Sequence, residues 1–487
     1  MDSRTFLRGA VKGAVAGGLA MSLYSQDMLA TAGAAEPVQR PNFVFILADD
    51  LGWGDLACYG NGKIQTPNLD RMAAEGIRFT NFYSNSPVCS PSRCAFMTGQ
   101  FPARNKFHYA LSTRAENTER HMPNYLDTKI PTITHLLKDG GYATGHFGKW
   151  HLGSAPADPN APAPEAYGID ESATFISNGQ PCFPKDYLPH QSSEIIIDHS
   201  IKFIEAHKDK PFYINVWLSD PHSILAPTDE QMSLYESESV KKQTKGRFTS
   251  ATQTYYAVIT NMDKQVGRLL AKLDELNLSE NTIVIFTSDN GPSPLWGWDT
   301  SHSGAGSVGP FRGSKASIYE GGIRMPCIVK WKGKTPAGIV DNDTVWSAVD
   351  FLPTFCKLAD VALPEGASLD GENAVDCLRG KTFNRSKPLM WEYRYHPWGR
   401  YIDSPPALAM RQGKWKLMLD HDGSNVELYD VAGRGPEVDN LADNNSKVVK
   451  KMSKKLLDWS NALPGAADVP ADAGVYEYPW PKSVSSN

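Results

Sequence analysis

Cys89-Ser90-Pro91-Ser92-Arg93 places a nucleophile, two hydroxyls and a guanidinium within five residues. The spacing predicts a loop running into a helix, with Ser90 as the N-cap and Pro91 at the first helical position, where proline's missing N–H is not needed. Cys89 then sits where unpaired backbone N–H groups converge, an anion site with a thiol in it. Arg93, one turn further on, reaches back toward the same point. Taken alone, these residues read equally well as a buried structural cysteine beside a surface arginine.

The other candidates gather where apolar runs end. Residues 42–48 lead into Asp49-Asp50, 282–287 into Ser288-Asp289-Asn290, and 212–218 into Ser219-Asp220-Pro221-His222, while Gly148-Lys149-Trp150-His151 follows a fourth short apolar segment. In open α/β sheets ligands bind beyond the carboxyl ends of the strands, so four such ends are expected to meet at one pocket. Asp49, Asp50, Asp289 and Asn290 offer only oxygen, the donor of a hard divalent cation, calcium foremost. Either pair alone reads as a turn former or helix cap; two pairs at equivalent strand ends point to a metal. Lys149, His151, His222 and Lys315 are single loop residues of a kind usually left solvated, and their joint placement is what singles them out.

Positioning these groups requires a layered scaffold. From residue 41 the pattern is strand, loop, helix, repeated. Helices are expected at 66–76 with Thr66 as cap, at 133–138 stopped by Gly140-Gly141, and at 255–276, between buried-type strands. That alternation predicts an α/β fold with a large, mainly parallel or mixed sheet flanked by helices. Beyond residue 387 come short strands at 407–411, 415–419 and 427–429 and an amphipathic helix at 447–463, a smaller antiparallel sheet with one helix. The organisation read from this is a signal peptide at 1–35, a catalytic domain at 41–386 and a C-terminal subdomain at 387–487.

A net charge of −5 over 487 residues gives no support for nucleic-acid binding, so an anionic substrate needs a local basic pocket. Arg4, Arg8 and Lys12, the weakly apolar stretch 14–23 and the small residues through Ala35 read as an export signal too short for a membrane span. Residues 3–8 look like a twin-arginine signal lacking one arginine. The expected location is periplasmic or secreted. Seven scattered cysteines do not make a disulfide scaffold; apart from Cys89, six remain as buried thiols or occasional bridges.

The run Cys89 to Arg93 resembles the activation signature Cys-x-Pro-Ser-Arg of the type I, formylglycine-dependent sulfatases of the alkaline phosphatase superfamily, and residues 94–99, Cys-Ala-Phe-Met-Thr-Gly, continue it. Residues 141–153 and 313–326 are similar to family segments whose lysines and histidines contact sulfate. Residues 411–417 and 427–430 are similar to segments of the sulfatase C-terminal subdomain. The resemblance spans residues 41–463.

It implies an alkaline phosphatase-like fold and oxidation of Cys89 to formylglycine by a maturating enzyme. It also implies a calcium ion on Asp49, Asp50, Asp289 and Asn290 together with residue 89. The implied reaction is attack by a hydroxyl of the hydrated aldehyde on sulfur, with Asp289 taking its proton. Lys149 and Lys315 hold the sulfate oxygens, His222 or Lys315 protonates the leaving oxygen, and His151 deprotonates the second hydroxyl so that sulfate is expelled. Arg93 orients the modified residue. The expected substrate is a sulfated carbohydrate, with Trp296, Trp298, His302 and the aromatic stretch 391–400 as candidate sugar contacts. The rivals are a phosphate or phosphonate ester hydrolase of the same superfamily and a non-catalytic carbohydrate-binding protein on the same fold.

Overall fold

The computed structural model describes residues 40–153, 158–238, 251–294, 302–394, 405–432 and 435–464. The expected export signal lies outside them.

The apolar run Asn42–Ala48 is strand β1, the middle of a nine-stranded mixed sheet. It is joined by β2 (Ile77–Tyr83), β3 (Ala143–Lys149), β4 (Glu171–Phe175), β5 (Phe212–Trp217), β6 (Thr282–Ser288), β7 (Arg324–Trp331), β8 (Ile339–Asp341) and β9 (Trp346–Ser347). The order is β4-β3-β5-β1-β6-β7-β2-β8, with β9 also paired to β2. Strands β4, β3, β5, β1 and β6 are mutually parallel; β7 runs antiparallel to both β6 and β2. All seven residues of β1 are buried, as a strand covered on both faces requires.

Helices cover those two faces: α1 (Pro67–Ala74), α2 (Cys89–Thr98), α3 (Ile133–Asp139), α4 (Ser192–His207), α5 (Ala251–Glu275) and α6 (Phe351–Leu358). Alternation along β1 divides the core between them. Phe43, Phe45 and Leu47 pack with Phe96 of α2, Leu136 of α3 and Phe351 and Phe355 of α6. Val44, Ile46 and Ala48 pack with Leu69 of α1, Ile196 of α4 and Met262 of α5.

The second sheet has four antiparallel strands in sequential order, β10 (Leu389–Glu392), β11 (Leu408–Gln412), β12 (Trp415–Leu419) and β13 (Glu427–Asp430), followed by helix α7 (Ser446–Asn461).

Three expectations need correction. Helix α2 begins at Cys89 with Val88 as its cap, so Ser90 is already in the first turn and Pro91 is the third helical residue. Ser90 Oγ instead accepts from the Leu111 N–H at 3.0 Å. Gly148 and Lys149 belong to β3 and not to the loop after it. All seven cysteines are free thiols, so none of the six remaining after Cys89 forms a bridge.

Candidate active site

Register alone brings the two acidic doublets together. Ala48 pairs with Ser288, so Asp49-Asp50 and Asp289-Asn290 leave adjacent parallel strands at the same level. The Asp289 N–H donates to Ala48 O at 3.2 Å and the Asp50 N–H to Asp289 Oδ1 at 3.2 Å. Strands β5 and β3, the next neighbours, deliver His222 and Lys149 to the same edge. Gly148 makes that delivery possible: its φ is +109°, and a Cβ there would meet Trp217 O at 1.9 Å. Residues with side chains are also forced into the left-handed region around the pocket, at Asp50 (+66°), His151 (+53°), Ile176 (+57°) and Ala316 (+67°). Strain of this kind costs about 1–3 kcal/mol per residue and collects at functional sites.

The side chains interlock. Lys149 Nζ lies 2.5 Å from Asp49 Oδ2, and Lys315 Nζ 2.7 Å from Asp50 Oδ2. Arg93 donates from Nε and Nη2 to Asp289 Oδ2 at 3.1 and 2.7 Å and from Nη1 to the Lys149 carbonyl at 3.0 Å, its guanidinium stacked over Trp217. Arg93 therefore orients Asp289 and the end of β3; no bond joins it to Cys89. Asn290 donates from Nδ2 to Asp50 Oδ1 at 2.7 Å. His222 Nε2 stands 3.8 Å from Asp50 Oδ2, with a third of its side chain exposed.

Cys89 Sγ is 3.2 Å from His151 Nδ1, and His151 Nε2 is 2.9 Å from the Leu111 carbonyl oxygen. A carbonyl only accepts, so Nε2 carries the proton. Burial, seconded by Lys149, pushes the imidazole down to about 3. His151 is therefore neutral, with the Nδ1 lone pair aimed at residue 89.

Three carboxylates against three cations leave the pocket unevenly charged. Burial disfavours the Asp49 anion, but Lys149 and then His222 outweigh it and hold the group well below the usual range. Burial and the charge of Asp49 push Asp289 up. Burial and then Lys315 push His222 down.

Asp49 Oδ1 and Asn290 Oδ1 are buried with no hydrogen-bond partner. Ligand atoms of Asp49, Asp50 and His222 lie within 4.8 Å of one another. Orphaned acceptors beside a close carboxylate pair are the signature of an oxygen-donor cation site. The residues present fit a calcium ion. All ten candidates, Asp49, Asp50, Cys89, Arg93, Lys149, His151, His222, Asp289, Asn290 and Lys315, thus converge at one edge of the sheet.

Asp55 was not anticipated as a contributor. Buried, it accepts from the Gly52 N–H at 2.6 Å, the Ser307 N–H at 2.7 Å and the Tyr255 hydroxyl at 2.6 Å, pinning the loop that carries Asp50. Its position five residues after Asp50 was the only signal in the sequence. Of the expected sugar contacts, Trp296, Trp298 and residues 395–400 lie outside the described residues. Trp391 is a packing residue, buried against Tyr83 with its Nε1 donating to Ser84 O at 2.8 Å.

A family model described as Sulfatase matches residues 41–361, and one described as N-sulphoglucosamine sulphohydrolase, C-terminal, matches residues 311–462. The chain is similar to the N-acetylgalactosamine-6-O-sulfatase of Bacteroides thetaiotaomicron, 28% identical over 86% of this chain and 93% of that protein. It is also similar to the N-acetylgalactosamine-6-sulfatase of Canis lupus familiaris, 34% identical over 72% of this chain and 68% of that protein. Among solved structures, Ps i-CgsB in complex with k-i-k-neocarrahexaose superposes with a TM-score of 0.73 at 26% identity, covering 88% of this chain and 94% of the other.

Proposed function

The chain belongs to the sulfatase family of the alkaline phosphatase superfamily and is a sulfate ester hydrolase, and from that premise we propose that it desulfates a carbohydrate outside the cytoplasm, using a formylglycine made from Cys89 and a calcium ion. The carbohydrate reading rests on the relatives, whose names specify N-acetylgalactosamine 6-sulfate and whose solved counterpart holds a carrageenan oligosaccharide. We further assign residues 41–386 to the catalytic domain and 387–487 to a C-terminal subdomain. Residues 1–35 are assigned to an export signal, and the enzyme to the periplasm or the exterior. Among the described residues no helix is long and apolar enough to cross a membrane.

The observation that carries the mechanism is Cys89 at the head of α2, 3.2 Å from the lone pair of His151 and beside the acidic doublets. Converted by a maturating enzyme and hydrated, residue 89 supplies one hydroxyl to attack sulfur and a second whose proton must later leave. Calcium on Asp49, Asp50, Asp289 and Asn290, when bound, supplies Lewis acidity at the attacking oxygen and charge for the sulfate. Asp289, whose proton affinity burial raises, takes the proton of the attacking hydroxyl. Lys149 and Lys315 neutralise the sulfate oxygens as charge builds on them. The leaving oxygen takes its proton from Lys315, or from the partly exposed His222 beside it in the imidazolium form, since the neutral ring spends its Nδ1 proton on the Ser223 carbonyl at 2.9 Å. His151 Nδ1 accepts the proton of the second hydroxyl, which needs the neutral imidazole that burial enforces.

The assay that tests this measures sulfate released from 6-sulfated N-acetylgalactosamine and from carrageenan oligosaccharides, alongside phosphate and phosphonate esters. Release from at least one sulfated saccharide, well above any phosphate or phosphonate ester, is expected. Preference for the phosphate or phosphonate esters, or no turnover of any ester by protein carrying converted Cys89, contradicts the reading.

A further inference from the structure

Lys315 sits near the middle of a loop closed at its base by the Gly321 N–H donating to Arg312 O at 2.7 Å. The loop's inner side is fixed by main-chain bonds. The Lys315 N–H donates to Pro292 O at 2.9 Å, next to the Asp289-Asn290 turn, and the Ala316 N–H to Pro87 O at 2.9 Å, just before Cys89. With Gly313 and Ala316 both left-handed, this backbone does not hold its shape by local preference.

The outer side is held by β12 and β13 of the second sheet and by Glu437 in the segment after β13. Arg312 Nη1 donates to the backbone carbonyl of Glu437 at 2.9 Å, and its guanidinium lies 3.8 Å over the ring of Tyr319. The Tyr319 hydroxyl donates to Glu427 at 3.0 Å. The Glu320 N–H donates to Glu437 Oε2 at 2.6 Å, and Lys416 Nζ bridges Glu320 Oε1 at 3.0 Å and Glu437 Oε1 at 2.8 Å. Glu437 thus grips the loop at both ends, by its carbonyl before Lys315 and by its carboxylate after it. Glu320, Lys416 and Glu437 are all buried.

We propose that Glu437, with Tyr319 and Glu427, is a positioning element of the active site: the C-terminal sheet sets the loop that places Lys315 Nζ against Asp50 and the substrate sulfate. The proposal rests on the reading that Lys315 acts on sulfate. The loop meets the pocket on one side and the second sheet on the other, so displacement of its base is transmitted to the ammonium group, and an ångström of misplacement costs up to about 100-fold in rate.

The test is a double-mutant cycle in the full-length, calcium-loaded, converted enzyme, read as kcat/KM for sulfate release per folded molecule. Glu437→Ala is expected to lower kcat/KM about 10- to 100-fold alone but less than about twofold in a Lys315→Ala background. Tyr319→Phe removes only the hydroxyl bond to Glu427 and carries the same test with a smaller single effect, should Glu437→Ala fail to fold. A loss of equal factor in both backgrounds, or a lowered melting temperature with unchanged kcat/KM, overturns the proposal by making the network purely structural. Wild-type rates in Lys315→Ala alone defeat it at its premise, and that failure is recognised in the single variant.

Discussion

Two clusters of buried charge lie on opposite sides of the Lys315 loop, and they are built differently. In the network of the second sheet, Glu320 meets Lys416 at 3.0 Å, Arg324 at 3.2 Å and the Tyr83 hydroxyl at 2.5 Å, while Arg411 donates to the same hydroxyl. Burial opposes the Glu320 charge, yet Lys416, Arg324 and Arg411 hold the group down to about 2. In the pocket, Asp49 Oδ1 and Asn290 Oδ1 have no hydrogen-bond partner, and two site residues, Asp50 and His151, take left-handed backbone. Burial and charge are common to both. The difference is that Glu320 has donors on both carboxylate oxygens, while the pocket leaves Asp49 Oδ1 and Asn290 Oδ1 without one beside a close pair of carboxylates. The first is built for stability and placement, and the second for binding.

The largest effect expected on either side of this contrast is Cys89→Ala. It should cut turnover by about 10⁴-fold or more while leaving the unfolding free energy nearly unchanged, which kinetics and chemical denaturation check together. Glu320→Gln should do the reverse, costing about 3–5 kcal/mol of stability because Lys416 and Arg324 lose a buried counter-charge. A loss below about 1 kcal/mol would erase the distinction between the clusters.

Calcium sharpens the contrast further. At a hundredfold excess over its Kd it should raise the unfolding free energy by about 2.7 kcal/mol in the wild type and in Glu320→Gln, and by none in Asp49→Asn. Thermal melts with and without chelator read this out.

The most gradual expected effect, spread over more than two pH units, concerns acid. Burial pushes His108 down to about 4 and His146 to about 3, from an ordinary value of 6.5. The unfolded chain therefore binds more protons between those values. Their stabilising effect is complete above pH 6.5 and is lost as the pH falls toward 4, by about 1.4 kcal/mol per pH unit for each histidine. His146→Gln should flatten the slope between pH 6.5 and 4 by one histidine's share; an unchanged slope would place the acid sensitivity elsewhere.

The site was legible in the sequence where it sits on buried parallel strands. An apolar run that stops abruptly at Asp49-Asp50 or Ser288-Asp289-Asn290 marks both the strand and its functional end, and β1 matches its expected bounds of 42–48. The antiparallel strands β2 and β7 were not legible. Arg78, Asn81, Arg324 and Pro326 interrupt their patterns, and Arg324 is buried at the price of partners far along the chain, Thr80 O at 2.7 Å among them. The start of α2 was misplaced because Ser90 has the chemistry of a cap but uses its hydroxyl on Leu111. Glu437 carries no local signature, since its partner Glu320 is 117 positions away, and Asp55 shows only its closeness to Asp50, since beyond Gly52 its partners Tyr255 and Ser307 are 200 or more positions away.

The account stands on residue 89 being an aldehyde when the enzyme works. Mass spectrometry of the tryptic peptide spanning residues 79–93, from protein matured in its own host and shown to release sulfate, measures this directly. A mass about 18 units below that of the cysteine form is predicted. An intact thiol on protein turning over at full rate would contradict the account.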